Sequence, residues 1–443
     1  MKDLVITKLS DKGVGIAYDN GDEFYVKNAL IGEKVSVHEL DYFAKGSKRR
    51  DCTLETIHTR SHIRCEPLCD NFNVCGSCHL QHMTLKGQHQ IKFDDIKASA
   101  KLLGIDDKVC SHILFNKDAK NLRNKTIRKF FKDKNGQIIC GFYKTHSHSV
   151  VDIKKCPLEP SWFDAICSSF CTLFEDNNIS IYDEISECGC VRSIMLRDVG
   201  KRLLMLYVAY DLSLDIKDKI KALCTNFNVD VIAISTIAYN TNSLNKGTIE
   251  YLTKNTCVRT KIMDLSFNVF VNTFLQVNSD SMALMYDEAI AYVKKSCNRD
   301  LVLDLCCGVG TMTLSLAKHF KKVIGVEIVK SSIDAAIENA KANNIDNVSF
   351  ILDDINSFMP KFKDKKVNAI IADPARVGLG SSAKAIASLQ GPLYVVLIFC
   401  SLKAFSRDVK VFLDNGFVVD KILGVDMFLH TRHVETMIFL KKE

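Results

Sequence analysis

The sequence predicts a multidomain α/β protein, with a small β-barrel at the N-terminus, a central α+β domain and a C-terminal doubly wound parallel sheet of Rossmann type. Three observations carry this expectation. Short alternating runs broken by turn signals fill residues 1–58, strand-like and helical runs mix over 59–268, and a regular strand, loop and helix rhythm takes over in 269–443. A chain of 443 residues has room for about two to four domains that each bury their own core.

In the first segment "LVITKLS" alternates, "DKGVGI" and "DNGD" supply turns, and "EFYVKNAL", "EKVSVHELDYF" and "RDCTLETIHT" follow as further strands. About five short strands in so little chain suit a barrel of the OB type, an architecture that often binds oligonucleotides; an SH3-like barrel would give much the same pattern. The densest basic run, "KGSKRR" (Lys45–Arg50), falls here and reads equally as a solvated loop or a phosphate contact.

Composition narrows the class. The opening "MKDLVITKLS" lacks the basic start and apolar run of a secretory signal, and no apolar stretch has membrane-spanning length, so a soluble cytoplasmic protein without membrane contact is expected. The 18 cysteines are spread through a large chain, which points to buried thiols, metal ligands or catalytic groups rather than disulfides. A net charge of +7 permits a polyanionic partner without requiring one.

The central domain opens on "LCDNFNVCGSCHLQH", where Cys69, Cys75 and Cys78 are too close-set for chance packing. A complete site needs a fourth ligand, and Cys65, His79, His82 and Cys156 are available. Zinc held through a histidine is one solution. Cys156, followed by proline in "KKCPLEP", suits another, because a remote Cys-Pro completing a clustered set is familiar in iron–sulfur ligation. Next, Ile91, Phe93, Ile96, Ala100 and Leu103 recur at helical spacing before Gly104, predicting a helix near 88–104 that can pack on the C-terminal domain. "NLRNKTIRKFFKDK" (Asn121–Lys134) then interleaves Arg123, Lys125, Arg128, Lys129 and Lys132 with Phe130 and Phe131. That mixture suits phosphate pairing and base stacking on looped RNA; its plain alternative is a half-buried strand with one solvated face. Runs such as "QIICGFYK", "SIMLRD", "LLMLYVAY" and "VDVIAIST" read as strands, and "SWFDAICSSFCTLFEDN" and "DIKDKIKALCTNF" as helices.

The C-terminal rhythm begins with "LVLDLCCGVG", which ends a buried strand on Asp304 and follows it with Gly308 and Gly310. Glycines there let the chain turn tightly and a ligand approach closely. Glu327 ends the next strand, where a carboxylate can accept from two ribose hydroxyls, and Asp354 follows the strand after that. Thr313 stands where a dinucleotide fold prefers a third glycine. The resulting D-x-x-x-G-x-G is the form typical of S-adenosylmethionine-dependent methyltransferases.

Reacting groups of an open parallel sheet collect beyond the carboxyl ends of its strands. "IIADPAR" sends Asp373 and Arg376 there, and "YVVLIFC" sends Cys400. The tail reads as a strand, a short loop and a returning antiparallel strand, which would deliver Glu435 to the same edge. A cysteine, a carboxylate and a methyl donor have a specific joint use. A thiolate adding to C6 of uracil makes C5 nucleophilic toward a sulfonium methyl group. That thiolate needs a lowered pKa, and a base must then remove the C5 proton. Cys400 and Glu435 fit these two roles.

From end to end the chain resembles the RNA uracil-5-methyltransferase family, in its iron–sulfur-containing 23S ribosomal RNA branch with an N-terminal TRAM domain, an OB-type barrel. "NTFLQVN" (Asn272–Asn278) resembles the F-x-Q-V-N segment, "DLCCGVGT" and "GVE" the cofactor loop and ribose-binding acid, and "DPARVG" the D-P-P-R-x-G. "CSLKAFSRD" resembles the segment around the nucleophile and "DMFLHTRHVE" the one ending in the general base. The resemblance implies a class I methyltransferase domain over 269–443, with Gln276, Asp304, Gly308, Gly310, Glu327, Asp354 and Asp373 at S-adenosylmethionine, Cys400 as nucleophile and Glu435 as base. It implies Cys69, Cys75, Cys78 and Cys156 as ligands of a structural [4Fe–4S] cluster, with Cys65 as an extra. It further implies a monomer acting on 23S ribosomal RNA. From the basic and aromatic run, Arg123, Lys125, Arg128 and Phe130 are expected as RNA contacts, with Arg376 from its strand end. Phe399, Ser401, Leu402, Leu429 and Ala375 depart from the family pattern, which keeps every reacting atom but changes its surroundings. Transfer RNA is the alternative substrate, against which the cysteines and barrel count, since the usual transfer RNA members look shorter and lack both. A non-catalytic RNA-binding or redox-sensing relative is the alternative outside the enzymes.

Overall fold

A computed structural model describes residues 1–40, 48–116, 122–145, 147–238, 241, 244–295, 298–362 and 365–442. Lys45, Gly46 and Ser47 of the basic run, and Asn121, lie outside the described residues.

The N-terminal unit is one six-stranded sheet in the order β1-β5-β6-β4-β3-β2. Its strands are β1 (Lys2–Val5), β2 (Lys8–Leu9), β3 (Gly15–Asp19), β4 (Asp22–Val26), β5 (Lys34–Glu39) and β6 (Arg49–Thr59). Leu4, Phe24, Val26, Val35, Val37 and Cys52 bury its own core. The extra strand over the five expected arises because "LVITKLS" breaks into β1 and β2 rather than running straight through.

Helix α1 (Leu85–Leu102) starts where the Thr84 hydroxyl accepts from Gly87 N at 3.3 Å, three residues before the periodicity suggested. Its buried Ile96 and Ala100 pack among Phe405, Ile422 and Val434 of the C-terminal domain. Strand β7 (Cys110–Leu114) then pairs in parallel with β22 (Val418–Val425) at the edge of the C-terminal sheet. Residues 85–114 thus pack α1 and β7 onto that domain.

The central sheet runs β10-β9-β8-β11-β12-β13-β14. It comprises β8 (Lys125–Lys132), β9 (Ile138–Tyr143), β10 (Val150–Asp152), β11 (Val191–Asp198), β12 (Arg202–Val208), β13 (Val231–Thr236) and β14 (Thr248–Tyr251). Helices α2 (Ser161–Asp176) and α3 (Leu214–Asn226) cover one face. The other face continues through Met195 and Met205 to the hairpin β15 (Cys257–Ile262) and β16 (Leu265–Phe270), and on to Val309 and Leu314.

The C-terminal domain carries α4 (Ser279–Val293), β17 (Leu301–Leu305), α5 (Thr311–Ala317), β18 (Lys322–Glu327), α6 (Lys330–Ala342), β19 (Val348–Leu352) and α7 (Ile355–Phe358). It continues with β20 (Ala369–Ala372), α8 (Ser382–Ala387), β21 (Leu393–Phe399), α9 (Leu402–Asp414), β22 (Val418–Val425) and β23 (Glu435–Lys442). The sheet order is β19-β18-β17-β20-β21-β23-β22-β7, with β23 antiparallel to both neighbours. Side chains alternate between two cores: Leu303, Ile370, Val395 and Leu397 face one side, Val302, Ile371, Val396 and Ile398 the other. Both faces are covered, as strands reading as continuous apolar runs require. Among the described residues no helix is long and apolar enough to cross a membrane.

Candidate active site

Strands β17 to β21 run the same way, so their carboxyl ends share one edge. Asp304, Glu327, Asp373 and Cys400 stand at or just past that edge. β23 starts there because it runs against β21. Phe399 pairs with Thr436, so one more step of register sets Cys400 beside Glu435.

The loop after β17 carries three left-handed residues, Cys306 (φ 63°), Gly308 (φ 54°) and Gly310 (φ 85°). A Cβ at Gly310 would come within 3.0 Å of the Phe350 ring, whereas one at Gly308 would meet nothing within 4 Å. Gly310 thus serves both backbone and packing, while Gly308 keeps an open side toward a ligand. Glu327 pins the loop, accepting from Gly308 N at 3.1 Å through one oxygen and from Ile328 N and Val329 N at 2.9 and 3.0 Å through the other. Asp354 caps α7 by accepting from Asn356 N at 2.8 Å, and remains exposed beyond β19.

Three carboxyls of the crevice sit above their usual range. Burial pushes Asp304 up to about 7, with the Thr313 hydroxyl, donating at 2.5 Å, opposing it. Burial likewise raises Asp373 to about 6 against the Gln276 amide, which donates at 3.3 Å. Glu435 rises to about 8 through burial and the charge of Asp373. Such a set favours a cationic ligand, which would relieve all three. The Cys400 thiol is also pushed up, by burial and then by Glu435 and Asp373, with Arg376 opposing. The thiolate that addition to C6 needs is therefore disfavoured in the site by itself, chiefly by burial.

Gln276 is held from the central domain, where Asn124 Nδ2 donates to Gln276 O at 3.0 Å and Asn124 N to Val277 O at 2.8 Å. Sequence reasoning missed Phe274, which is 71% exposed beside Gln276; its signal was its place in the F-x-Q motif. It also missed Cys306, whose thiol burial raises to about 12, with Glu327, Asp373, Asp304 and Asp354 adding to the shift. That list of neighbours puts the thiol in the same crevice. Two of the departures beside Cys400 open the following helix. Ser401 is the N-cap of α9, accepting from Ala404 N at 3.4 Å, and Leu402 is the first helical residue, a position that tolerates most side chains.

Cys69, Cys75, Cys78 and Cys156 line one cavity, together with Phe72, Arg123 and Phe142. Neither His79 nor His82 lines it, the His82 ring lying instead against Phe72, and the Cys65 thiol turns to Gln81 O at 3.5 Å. Among the described residues no three His, Cys, Asp or Glu side chains are grouped to hold a single metal ion.

Two expected RNA contacts are corrected. Arg128 is wholly buried, bonded to Glu159 at 2.5 Å and Asp164 at 2.6 Å, and Phe130 packs in the core beside Phe174. In a strand alternate residues face opposite ways, and on β8 it is Thr126, Arg128 and Phe130 that face α2. Lys125 is half-buried, its amine pushed down to about 8 by burial and Arg197. Arg123 turns to the cysteine cavity, and Arg376 is exposed near Cys400.

A Rossmann-type sheet with a glycine loop, a ribose-ready carboxylate and a crevice suited to a sulfonium defines a methyltransferase. The family model described as tRNA (Uracil-5-)-methyltransferase matches residues 200–443. An uncharacterized RNA methyltransferase of Clostridium tetani is 32% identical over 99% of this chain and 95% of its own length. One from Bacillus cereus is 29% identical over 99% and 96%. The chain therefore belongs to the tRNA (uracil-5-)-methyltransferase family and is an S-adenosylmethionine-dependent RNA methyltransferase. Its fold is similar to that of Pyrococcus abyssi tRNA (uracil-54, C5)-methyltransferase in complex with S-adenosyl-L-homocysteine, with a TM-score of 0.77 at 23% identity, covering 99% of this chain and 100% of that one.

Proposed function

We propose that the protein methylates C5 of a uridine in 23S ribosomal RNA through a covalent adduct on Cys400. The observation that carries this is the juxtaposition of Cys400 and Glu435 at the edge that also bears Asp373 and Gln276. The Cys400 thiolate adds to C6, and the resulting enolate places electron density on C5, which takes the methyl group while the donor sulfur leaves with the bonding pair. Glu435 then accepts the C5 proton, the C6–S bond breaks, and the thiolate returns. Asp373 and Gln276 position the donor and the uracil, Glu327 takes the ribose hydroxyls, and the exposed Phe274 and Arg376 receive the displaced base and its phosphates.

The four cysteines around one cavity support a [4Fe–4S] cluster. Ligands of one tetrahedral ion at about 2.3 Å would crowd their sulfurs together, whereas a cluster assigns each thiolate to its own iron. When bound, the cluster supplies a cross-link between residues 69–78 and Cys156, since no step of the methylation needs an electron. The N-terminal sheet serves as the TRAM-type RNA-binding unit in this reading.

Transfer RNA remains the second reading. The similarity in fold to a transfer RNA enzyme extends over nearly the whole chain, so length and the N-terminal unit no longer count against it. Incubation with S-adenosylmethionine and 5-fluorouridine-containing ribosomal or transfer RNA tests both. A covalent adduct that disappears in Cys400→Ala is expected with ribosomal RNA; capture of transfer RNA alone would move the substrate, and capture of neither would remove the proposed chemistry.

A further inference from the structure

The loop between β22 and β23 leads directly into Glu435, and most of the bonds that tie it to the rest of the protein come from residues 79–95, far away in sequence. His79 N and Leu80 N both donate to His430 O, at 2.8 and 2.9 Å. Gln88, wholly buried on α1, accepts from His430 N at 3.1 Å, and its Nε2 lies 3.1 Å from His430 Nδ1 while donating to Leu80 O at 3.0 Å and Met83 O at 2.8 Å. Arg432 is paired with Asp95 at 2.5 Å. His430 itself is left-handed at φ 64°, a conformation uncommon outside glycine.

We propose that Gln88 is a positioning residue for the methylation site: its amide locks His430, and through it the loop that aims the Glu435 carboxylate at the target base. The inference rests on the reading of Glu435 as the general base. Glu435 is the first residue of β23, paired on one side only, with Val425 of β22, while its ladder with β21 ends at Phe399–Thr436; the loop joining Val425 to Glu435 closes that terminal pair and so sets where the carboxylate starts. Cys400 lies on a different segment, between β21 and α9, so its place does not depend on the path of this loop. Loosening the loop should therefore slow the last step, proton removal and release, while sparing thiolate addition and methyl transfer.

The expected signature is accumulation of a methylated covalent adduct on ordinary uridine RNA, which a merely structural role would not produce. Wild type, Gln88→Leu, His430→Gly and Glu435→Gln are each mixed with labelled S-adenosylmethionine and uridine-containing RNA, and adduct, free product and S-adenosylmethionine affinity are followed. Gln88→Leu and His430→Gly should raise the adduct fraction about tenfold, part of the effect that loss of a general base exerts, with donor affinity unchanged. Should Gln88→Leu fail to fold, His430→Gly carries the test, since glycine keeps the left-handed backbone. Product loss without adduct in the folded variants would overturn the inference while leaving the Glu435 reading intact, provided Glu435→Gln traps RNA. Absence of adduct in Glu435→Gln would overturn the reading, and the inference with it.

Discussion

Lys92 and Asp426 meet at 2.6 Å with both side chains fully buried, joining α1 to the end of β22 across 334 residues of sequence. Burial alone would raise the Asp426 carboxyl, but Lys92 and His89 outweigh it and hold the group below its ordinary value. Removing one partner of such a pair strands the other charge in the interior. Lys92→Met should cost about 3–5 kcal/mol, and the Lys92→Met/Asp426→Leu double variant should recover most of it. Urea titration of the single and double variants measures the coupling, and equal losses in both would show that the pair stabilises nothing beyond its packing.

The pair also shows where sequence reading stops. Periodicity revealed α1 and its apolar Ile96 and Ala100, but a lysine at the next turn reads as solvated until its partner is known, and that partner lies at the other end of the chain. Strand order, by contrast, was enough to bring Cys400 to Glu435, because parallel strands share an edge and a returning strand must start there. The β8 run failed for a local reason: period two divides "KTIRKFFK" into two faces, and nothing in the composition says which one is inward. Arg128 and Phe130 were chosen from the face that α2 covers, since a buried arginine becomes legible only with Glu159 and Asp164 beside it.

Glu435, raised to about 8, ties activity to pH with a definite sign. As the proposed base its carboxyl must be ionised to accept the C5 proton, so product release should rise with pH and level off above about 8. Stability moves the other way. Between the ordinary carboxyl value of 4.5 and about 8 the folded state holds a proton that the unfolded state has lost, so folding weakens as pH rises through this window. Glu435→Gln should abolish turnover yet melt higher than wild type at pH about 8.5, where the charged base is no longer buried. Melting curves at pH about 5 and 8.5 check it, and an equal difference between the two proteins at both values would contradict the shift.

Two arginines that look alike in the sequence should behave oppositely. Arg376 is exposed near Cys400, so Arg376→Ala should leave melting unchanged, weaken RNA binding, and lower the salt-dependence slope by about one. Arg128 is buried between two carboxylates, and Arg128→Ala should destabilise the protein by about 3–5 kcal/mol. Its effect should reach the cysteine cavity as well, because Asp164 also accepts from Cys156 N at 3.3 Å. Iron content of protein purified without oxygen should therefore fall in Arg128→Ala and hold in Arg376→Ala. Normal iron with weakened RNA binding in Arg128→Ala would return that side chain to the surface.

The Cys400 thiol poses a kinetic problem that its own neighbours do not solve, since burial, Glu435 and Asp373 all favour the protonated form and outweigh Arg376 and a backbone hydrogen bond. A positive charge is available from the methyl donor, which the raised carboxyls of Asp373, Asp304 and Glu435 would favour. The by-product of the reaction has the same adenosine and amino-acid groups with a neutral sulfur. Comparing the two ligands therefore isolates one charge while keeping the shape of the occupied crevice. Alkylation of Cys400 by iodoacetamide at pH about 8 should be up to about tenfold faster with S-adenosylmethionine than with S-adenosylhomocysteine, one pKa unit being a tenfold change in thiolate. Peptide mapping separates Cys400 from the other cysteines among the 18. Equal rates with both ligands would mean that the thiol is activated by the RNA, and the nucleophile would then form only after the target base has entered.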